Sequence, residues 1–211
     1  MNEKLKNWFA QMPVVAILRG VRPEQVVAIG EALCSAGIGI IEVPLNSPEP
    51  LESIKNLADA LGDRSVIGAG TVLTEADAEA VAAAGGQIAV SPNTDPAVIA
   101  RSLALGMVPM PGWATVTEAL LAYQTGARYL KLFPAATYGP AHIKGASAVL
   151  PTDCKVLAVG GVGAESAAAW LSAGVDGFGI GSELYKPGDS AEQVYQRAVA
   201  VVAAFKTARE G

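Results

Sequence analysis

Short apolar runs, many of them β-branched, recur along the chain. VVAILRG begins at Val14, IGIIEVPL at Ile38, SVIGAG at Ser65 and QIAVSP at Gln87. MVPMPG follows from Met107, YLKLFP from Tyr129, KVLAVGG from Lys155 and GFGIGS from Gly177. These make about eight candidate strands at intervals of roughly 20–27 residues, the spacing of repeated strand–helix units. Their near-continuous hydrophobicity is that of strands covered on both faces.

Alanine-rich, helix-favouring segments lie between the runs: PEQVVAIGEALCSAG, EADAEAVAAAGG, DPAVIARSLALG, TVTEALLAYQTG and AESAAAWLSAG. Each ends in glycine, which takes the left-handed helix-stop conformation without a Cβ penalty. Thr74, Thr94 and Thr115 stand where N-caps are expected. The pattern predicts an α/β chain folded as a single (β/α)₈ TIM barrel over residues 1–211. The segment before Pro13 is expected to add an N-terminal helix, closing the barrel bottom or packing on its side. An open doubly wound sheet is the competing architecture, but no GxGxxG follows the first strand and no Walker A sequence occurs.

Composition narrows the function. The chain has 211 residues, 51% of them hydrophobic, and a formal charge of −5. An acidic balance without a clustered Lys/Arg stripe gives no footprint for nucleic acid. Cys34 and Cys154 are too few for a disulfide framework or a cysteine zinc site and read as packed side chains. The N-terminus lacks a signal peptide's apolar core, and no run is long enough to span a membrane. The default location is cytoplasmic.

In a barrel, chemistry gathers at the C-terminal ends of the strands. Arg19, Glu42, Thr71, Ser91 to Asn93, Lys131, Gly160, Gly161, Gly181 and Ser182 all fall late in apolar runs or just after them. Strand parity puts Tyr129, Lys131 and Phe133 on one face, and Ile40, Glu42 and Pro44 on one face. If both faces point inward, Lys131 and Glu42 meet inside the barrel. A desolvated lysine near a cation loses pKa and becomes an amine nucleophile for a ketone or aldehyde. The plainer reading is a buried ion pair. The glycines after the seventh and eighth runs match the barrel phosphate site, or are merely tight turns. His142, the single histidine, has no second ligand at metal spacing and reads as a packing or surface residue. Trp113 either lines a pocket or packs.

VAILRG, IIEVPLNSP, GAGTVL, SPNT, PGWATVTEA, LKLFPA and AVGGV together resemble the bacterial aldolases of 2-keto-3-deoxy-6-phospho sugar acids. The resemblance runs from about Pro13 to Tyr185. It implies a metal-independent class I aldolase without a cofactor, usually a homotrimer, acting on a phosphorylated sugar acid and releasing pyruvate and glyceraldehyde 3-phosphate. Lys131 would be the Schiff-base nucleophile and Glu42 the general acid/base. Arg19 would pair with Glu42 or the substrate carboxylate. Thr71 and Pro92 would contact the carboxylate end, and Phe133 would pack on the substrate. Gly160, Gly161, Gly181 and Ser182 would hold the phosphate. The family's gluconate type commonly carries arginine after the strand-two glutamate and threonine before GG. This chain has Asn46, Ser47 and Pro48 there, and Val159 before GG, which resembles the galactonate type. Those substrates differ at C4. The gluconate type, with side activity on 4-hydroxy-2-oxoglutarate, and a non-catalytic phosphate-sugar binding barrel remain alternatives. A metal-dependent lyase is disfavoured by the lack of histidine clusters.

Overall fold

A computed structural model describes residues 3–210. The strands are β1 (Val14–Ile17), β2 (Ile40–Pro44), β3 (Val66–Gly70), β4 (Ile88–Val90), β5 (Val108–Met110), β6 (Gly112–Trp113), β7 (Tyr129–Leu132), β8 (Lys155–Val159) and β9 (Gly177–Ile180). Every pairing is parallel, in the order β5-β4-β3-β2-β1-β9-β8-β7-β6.

The expected fifth strand is thus two segments. Pro111 interrupts it because proline has no N–H to give to the ladder. The first half pairs with β4, Val90 opposite Met110, and the second with β7, Gly112 opposite Lys131. Between them the Pro111 carbonyl accepts from the Lys131 N–H at 2.9 Å. The broken strand therefore joins both ends of the sheet, and the sheet becomes a barrel.

The helices are α1 (Glu3–Gln11), α2 (Pro23–Ala36), α3 (Pro50–Leu61), α4 (Glu75–Ala83), α5 (Pro96–Ala104), α6 (Val116–Gln124), α7 (Ala135–Tyr138), α8 (Pro140–Ala146), α9 (Ala167–Ser172) and α10 (Ala191–Glu210). Gly37, Gly85, Gly106, Gly126 and Gly174, just beyond α2, α4, α5, α6 and α9, all have positive φ. Thr74 and Thr115 form capping boxes with Asp77 and Glu118. At α5 the cap is Asp95, whose Oδ1 accepts from Ala97 N at 2.9 Å. The expected cap, Thr94, instead gives its hydroxyl to the Gly112 carbonyl at 2.9 Å and ties the β4 loop to β6. α3 was not among the segments read from the sequence. It starts after Glu49, at φ 41 and without a side-chain cap, and its following Gly62 is not left-handed.

The core has two layers. One set of strand residues, including Ala16, Ile41, Val43 and Leu130, faces the helices. The other, including Val15, Ile40, Val66, Ile88, Met110, Tyr129 and Leu157, fills the barrel. Leu5 and Phe9, one turn apart on α1, join this inner layer, so the N-terminal helix closes the bottom rather than lying on the side. Phe9 meets Tyr129 edge-on at 4.9 Å. Trp8 lies on Gly39, where a Cβ would come within 2.0 Å of the indole, and its Nε1 donates to the Arg64 carbonyl at 2.9 Å.

Candidate active site

The opposite end of the barrel opens into a cleft of about 720 Å³. Arg19, Glu42, Thr71, Pro92, Lys131, Phe133, Val159, Gly160, Gly161, Gly181 and Ser182 all line it, so residues from seven strand ends share one space, whereas Ser91 and Asn93 on either side of Pro92 are not in the lining.

Lys131 and Glu42 lie deepest, 6% and 2% exposed. Their inward direction follows from register: Lys131 sits opposite Gly112 and Leu157, and Glu42 opposite Ile17 and Gly68. A void of only about 10 Å³ lies beneath them, among Val15, Val90, Met110 and Leu157. The plain ion pair is not formed: no contact of 4 Å or less joins the two charges among the described residues. Glu42 Oε2 is buried without a hydrogen-bond partner. It rests against the bare backbone of Gly70, where a Cβ would lie 1.6 Å away.

Burial dominates the electrostatics of both groups. It holds the Lys131 amine below its ordinary pKa; the Glu42 charge opposes this and Arg19 reinforces it. Burial pushes the Glu42 carboxyl up to about 7, against the opposing pull of Lys131 and Arg19. Burial thus acts in opposite senses on the two groups, making the amine easier to deprotonate and the carboxyl easier to protonate. The Lys131 Nζ stands 4.6 Å from the centre of the Phe133 ring.

Arg19 does not reach Glu42 as an ion pair. Its guanidinium donates to Asn46 Oδ1 at 2.5 Å, above the buried pair. Asn46 thus enters the cleft as a residue that sets the arginine's position. Ser47 anchors the same corner, accepting from the Gly20 N–H at 2.9 Å. Thr71 has φ 60, a left-handed backbone that costs a β-branched residue free energy and is commonest where function requires it. Pro92 reaches the cleft because Gly112 lets the β4 loop approach: a Cβ there would lie 2.1 Å from the Pro92 carbonyl.

At the rim, Gly160 and Gly161 have φ 93 and 71, conformations that glycine adopts without strain. A Cβ on Gly160 would press on the Phe133 ring at 3.2 Å. Glu183, Tyr185, Lys186 and Pro187 complete this side and were missed in the sequence, where only the GS step before them signalled a site. Trp113 is 2% exposed and lies outside the cleft, in the outer core. His142 packs between Trp113 and Tyr138, at ring distances of 5.7 and 5.0 Å. Cys34 and Cys154 are free, and burial raises both thiols, Cys154 to about 12. Among the described residues no group of three or more His, Cys, Asp or Glu is placed to hold a metal ion, and no helix is long and apolar enough to cross a membrane.

Residues 5–201 match the family model "KDPG and KHG aldolase". The chain is 46% identical, over 96% of its length and 98% of the relative's, to the 2-dehydro-3-deoxy-6-phosphogalactonate aldolase of Escherichia coli K12. A solved structure described as "Native KDPGal structure" superposes with a TM-score of 0.93 at 45% identity, covering 95% of this chain and 98% of that one. A KDPG aldolase from Legionella pneumophila, solved with pyruvate captured as a covalent carbinolamine intermediate, has a TM-score of 0.83 at 28% identity, covering 93% of this chain and 97% of that one.

Proposed function

The chain belongs to the KDPG and KHG aldolase family, and we propose that it is a class I aldolase cleaving 2-dehydro-3-deoxy-6-phosphogalactonate to pyruvate and D-glyceraldehyde 3-phosphate. The observation that carries the reading is the buried Lys131 amine, depressed in pKa, in the same cleft as the Glu42 carboxyl raised to about 7. The galactonate assignment follows the higher identity to the Escherichia coli galactonate enzyme, 46% against 28% for the Legionella KDPG aldolase. It also follows Asn46 and Val159 in the cleft.

In this mechanism the neutral Lys131 amine attacks the C2 ketone of the sugar acid. Glu42 donates a proton to the departing hydroxyl of the carbinolamine, and water leaves to give an iminium. The positive nitrogen draws in the electrons of the C3–C4 bond. As that bond breaks, Glu42 takes the proton of the C4 hydroxyl, directly or through a water, and the aldehyde product forms. The remaining enamine is protonated at C3, and water hydrolyses the iminium to release pyruvate and restore the amine. A carboxyl with a pKa near neutrality suits both giving and taking a proton. Arg19, held by Asn46, supplies a fork for the substrate carboxylate and disfavours a proton on Lys131. Thr71 and the backbone beside Pro92 contact the carboxylate end, and Phe133 and Val159 pack on the sugar chain. Backbone N–H groups around Gly160, Gly161, Gly181 and Ser182 take the phosphate.

The chemistry needs no metal ion or other cofactor, because the iminium is itself the electron sink. The same reading carries a homotrimer and a cytoplasmic location. Free thiols at Cys34 and Cys154 suit the latter.

The test is borohydride reduction in the presence of pyruvate, followed by peptide mass mapping. A reduced pyruvyl adduct confined to Lys131 is expected. A folded, pyruvate-exposed sample with no adduct would remove the Schiff-base mechanism. Comparing cleavage of the two C4 epimers then tests the substrate.

A further inference from the structure

Glu183 carries a negative charge into the part of the cleft read as the phosphate end. It follows Ser182 in the loop after β9 and lines the same cleft as Gly160 and Gly161. Both its oxygens lie within reach of the Ala164 backbone N–H, at 3.2 and 3.1 Å. Its Oε2 sits on Gly163, where a Cβ would come within 1.9 Å. The carboxylate is therefore seated on bare backbone of the loop that leaves β8. Among the described residues no lysine or arginine pairs with it within 4 Å.

An unpaired carboxylate beside a bound phosphate repels it, and that cost needs an offsetting gain. The loop supplies one. Gly160, Gly161 and Gly163 crowd a four-residue stretch with the residue type that loses most freedom on being ordered. One side of the loop is held by the Gly160 carbonyl, which accepts from Ala136 N at 3.0 Å. The other side is held by the charge-assisted bond from Ala164 to Glu183, which links the β8 loop to the β9 loop.

We propose that Glu183 is a positioning residue: it clasps the β8 and β9 loops together so that their glycine amides face a single phosphate group. The inference rests on the phosphate reading of this end of the cleft. The clasp meets the ordering cost of the glycine loop before ligand arrives, which is how preorganisation strengthens binding. A carboxylate that merely filtered charge would act in the opposite direction, so the sign of the effect separates the two roles.

The experiment compares the wild type, Glu183→Ala and Glu183→Gln. Inorganic phosphate is titrated by calorimetry below the melting temperature of all three, and steady-state kinetics are measured on the phosphorylated sugar acid. Loss of one charge-assisted bond is expected to weaken phosphate binding and raise KM in Glu183→Ala by roughly tenfold, with kcat little changed. Glu183→Gln, which keeps an acceptor for Ala164, should recover most of this. Pyruvate trapping at Lys131 needs no phosphate and should be the same in all three. The proposal is overturned if Glu183→Ala binds phosphate as tightly as the wild type or tighter, if Gln rescues nothing, if only the melting temperature moves, or if the wild type binds no phosphate. A wild type that binds phosphate but traps no pyruvate would instead count against the aldolase reading, while the phosphate titration still decides the role of Glu183.

Discussion

Glu42→Gln should make the protein more stable as it makes it less active, and the stability gain should appear only as pH rises. The carboxyl titrates near 4.5 when unperturbed and is pushed to about 7 by burial in the barrel. Between those values the folded state keeps a proton that the unfolded chain has lost. The folded state then binds more protons, so its stability falls as pH rises through the window and levels off above about 7. A shift from 4.5 to about 7, at 1.36 kcal/mol per unit, amounts to roughly 3 kcal/mol. Glutamine does not titrate, so the variant escapes that loss. The gap in unfolding free energy should widen in the variant's favour by up to this amount between about pH 4.5 and about pH 8. Lys131 trims the gain, because the Glu42 charge raises the lysine and its removal lets burial depress the amine further. The assay is urea unfolding at fixed protein concentration across the pH series, with kcat measured on the same samples. Activity should drop by roughly 10²–10⁴-fold. A gap that stays flat with pH, or widens toward acid, would refute the argument that burial governs this carboxyl.

The other expectations are simpler. Lys131→Ala should keep the fold and abolish both cleavage and borohydride trapping; activity above a trace would remove the lysine as nucleophile. Gly70→Ala places a Cβ where Glu42 Oε2 now lies, so kcat should fall toward the Glu42→Gln level while circular dichroism stays native; an unimpaired variant would mean that the carboxyl position is unimportant. Phe9→Ala empties part of the barrel floor and should cost about 3–5 kcal/mol in denaturant unfolding; a loss under 1 kcal/mol, roughly what a surface change costs, would contradict the plug. Prolonged dialysis against a chelator should leave cleavage intact, and loss restored by a divalent metal would overturn the iminium as sole electron sink.

Much of the architecture was legible because barrel strands are covered on both faces and announce themselves as apolar runs. The site was legible for the same reason: a lysine in YLKLF and a glutamate in IIEVP are conspicuous where all else is apolar. The split of the fifth strand was not, since MVPMPG reads as one run until the hydrogen bonds show the halves pairing with different neighbours. Nor was the partner of Arg19. Charge alone suggested Glu42, whereas the structure gives the guanidinium to a neutral amide, Asn46, in the adjacent loop. Glu183 escaped notice because its meaning depends on Gly163 and Ala164, about twenty residues away in sequence and brought beside it by the parallel β8–β9 pairing.

The packed barrel interior has a consequence for traffic. Inner-layer side chains, backed from below by Leu5 and Phe9, close the cleft from beneath, and the Lys131 amine stands at its floor. Whatever enters must leave by the same door. In the proposed reaction the fragment held at the rim departs first, while the fragment bonded to the lysine waits behind it. Release is last in, first out: the phosphorylated aldehyde clears before pyruvate is hydrolysed free. In the synthetic direction the order reverses, so pyruvate must load before the aldehyde and an early aldehyde would block its way.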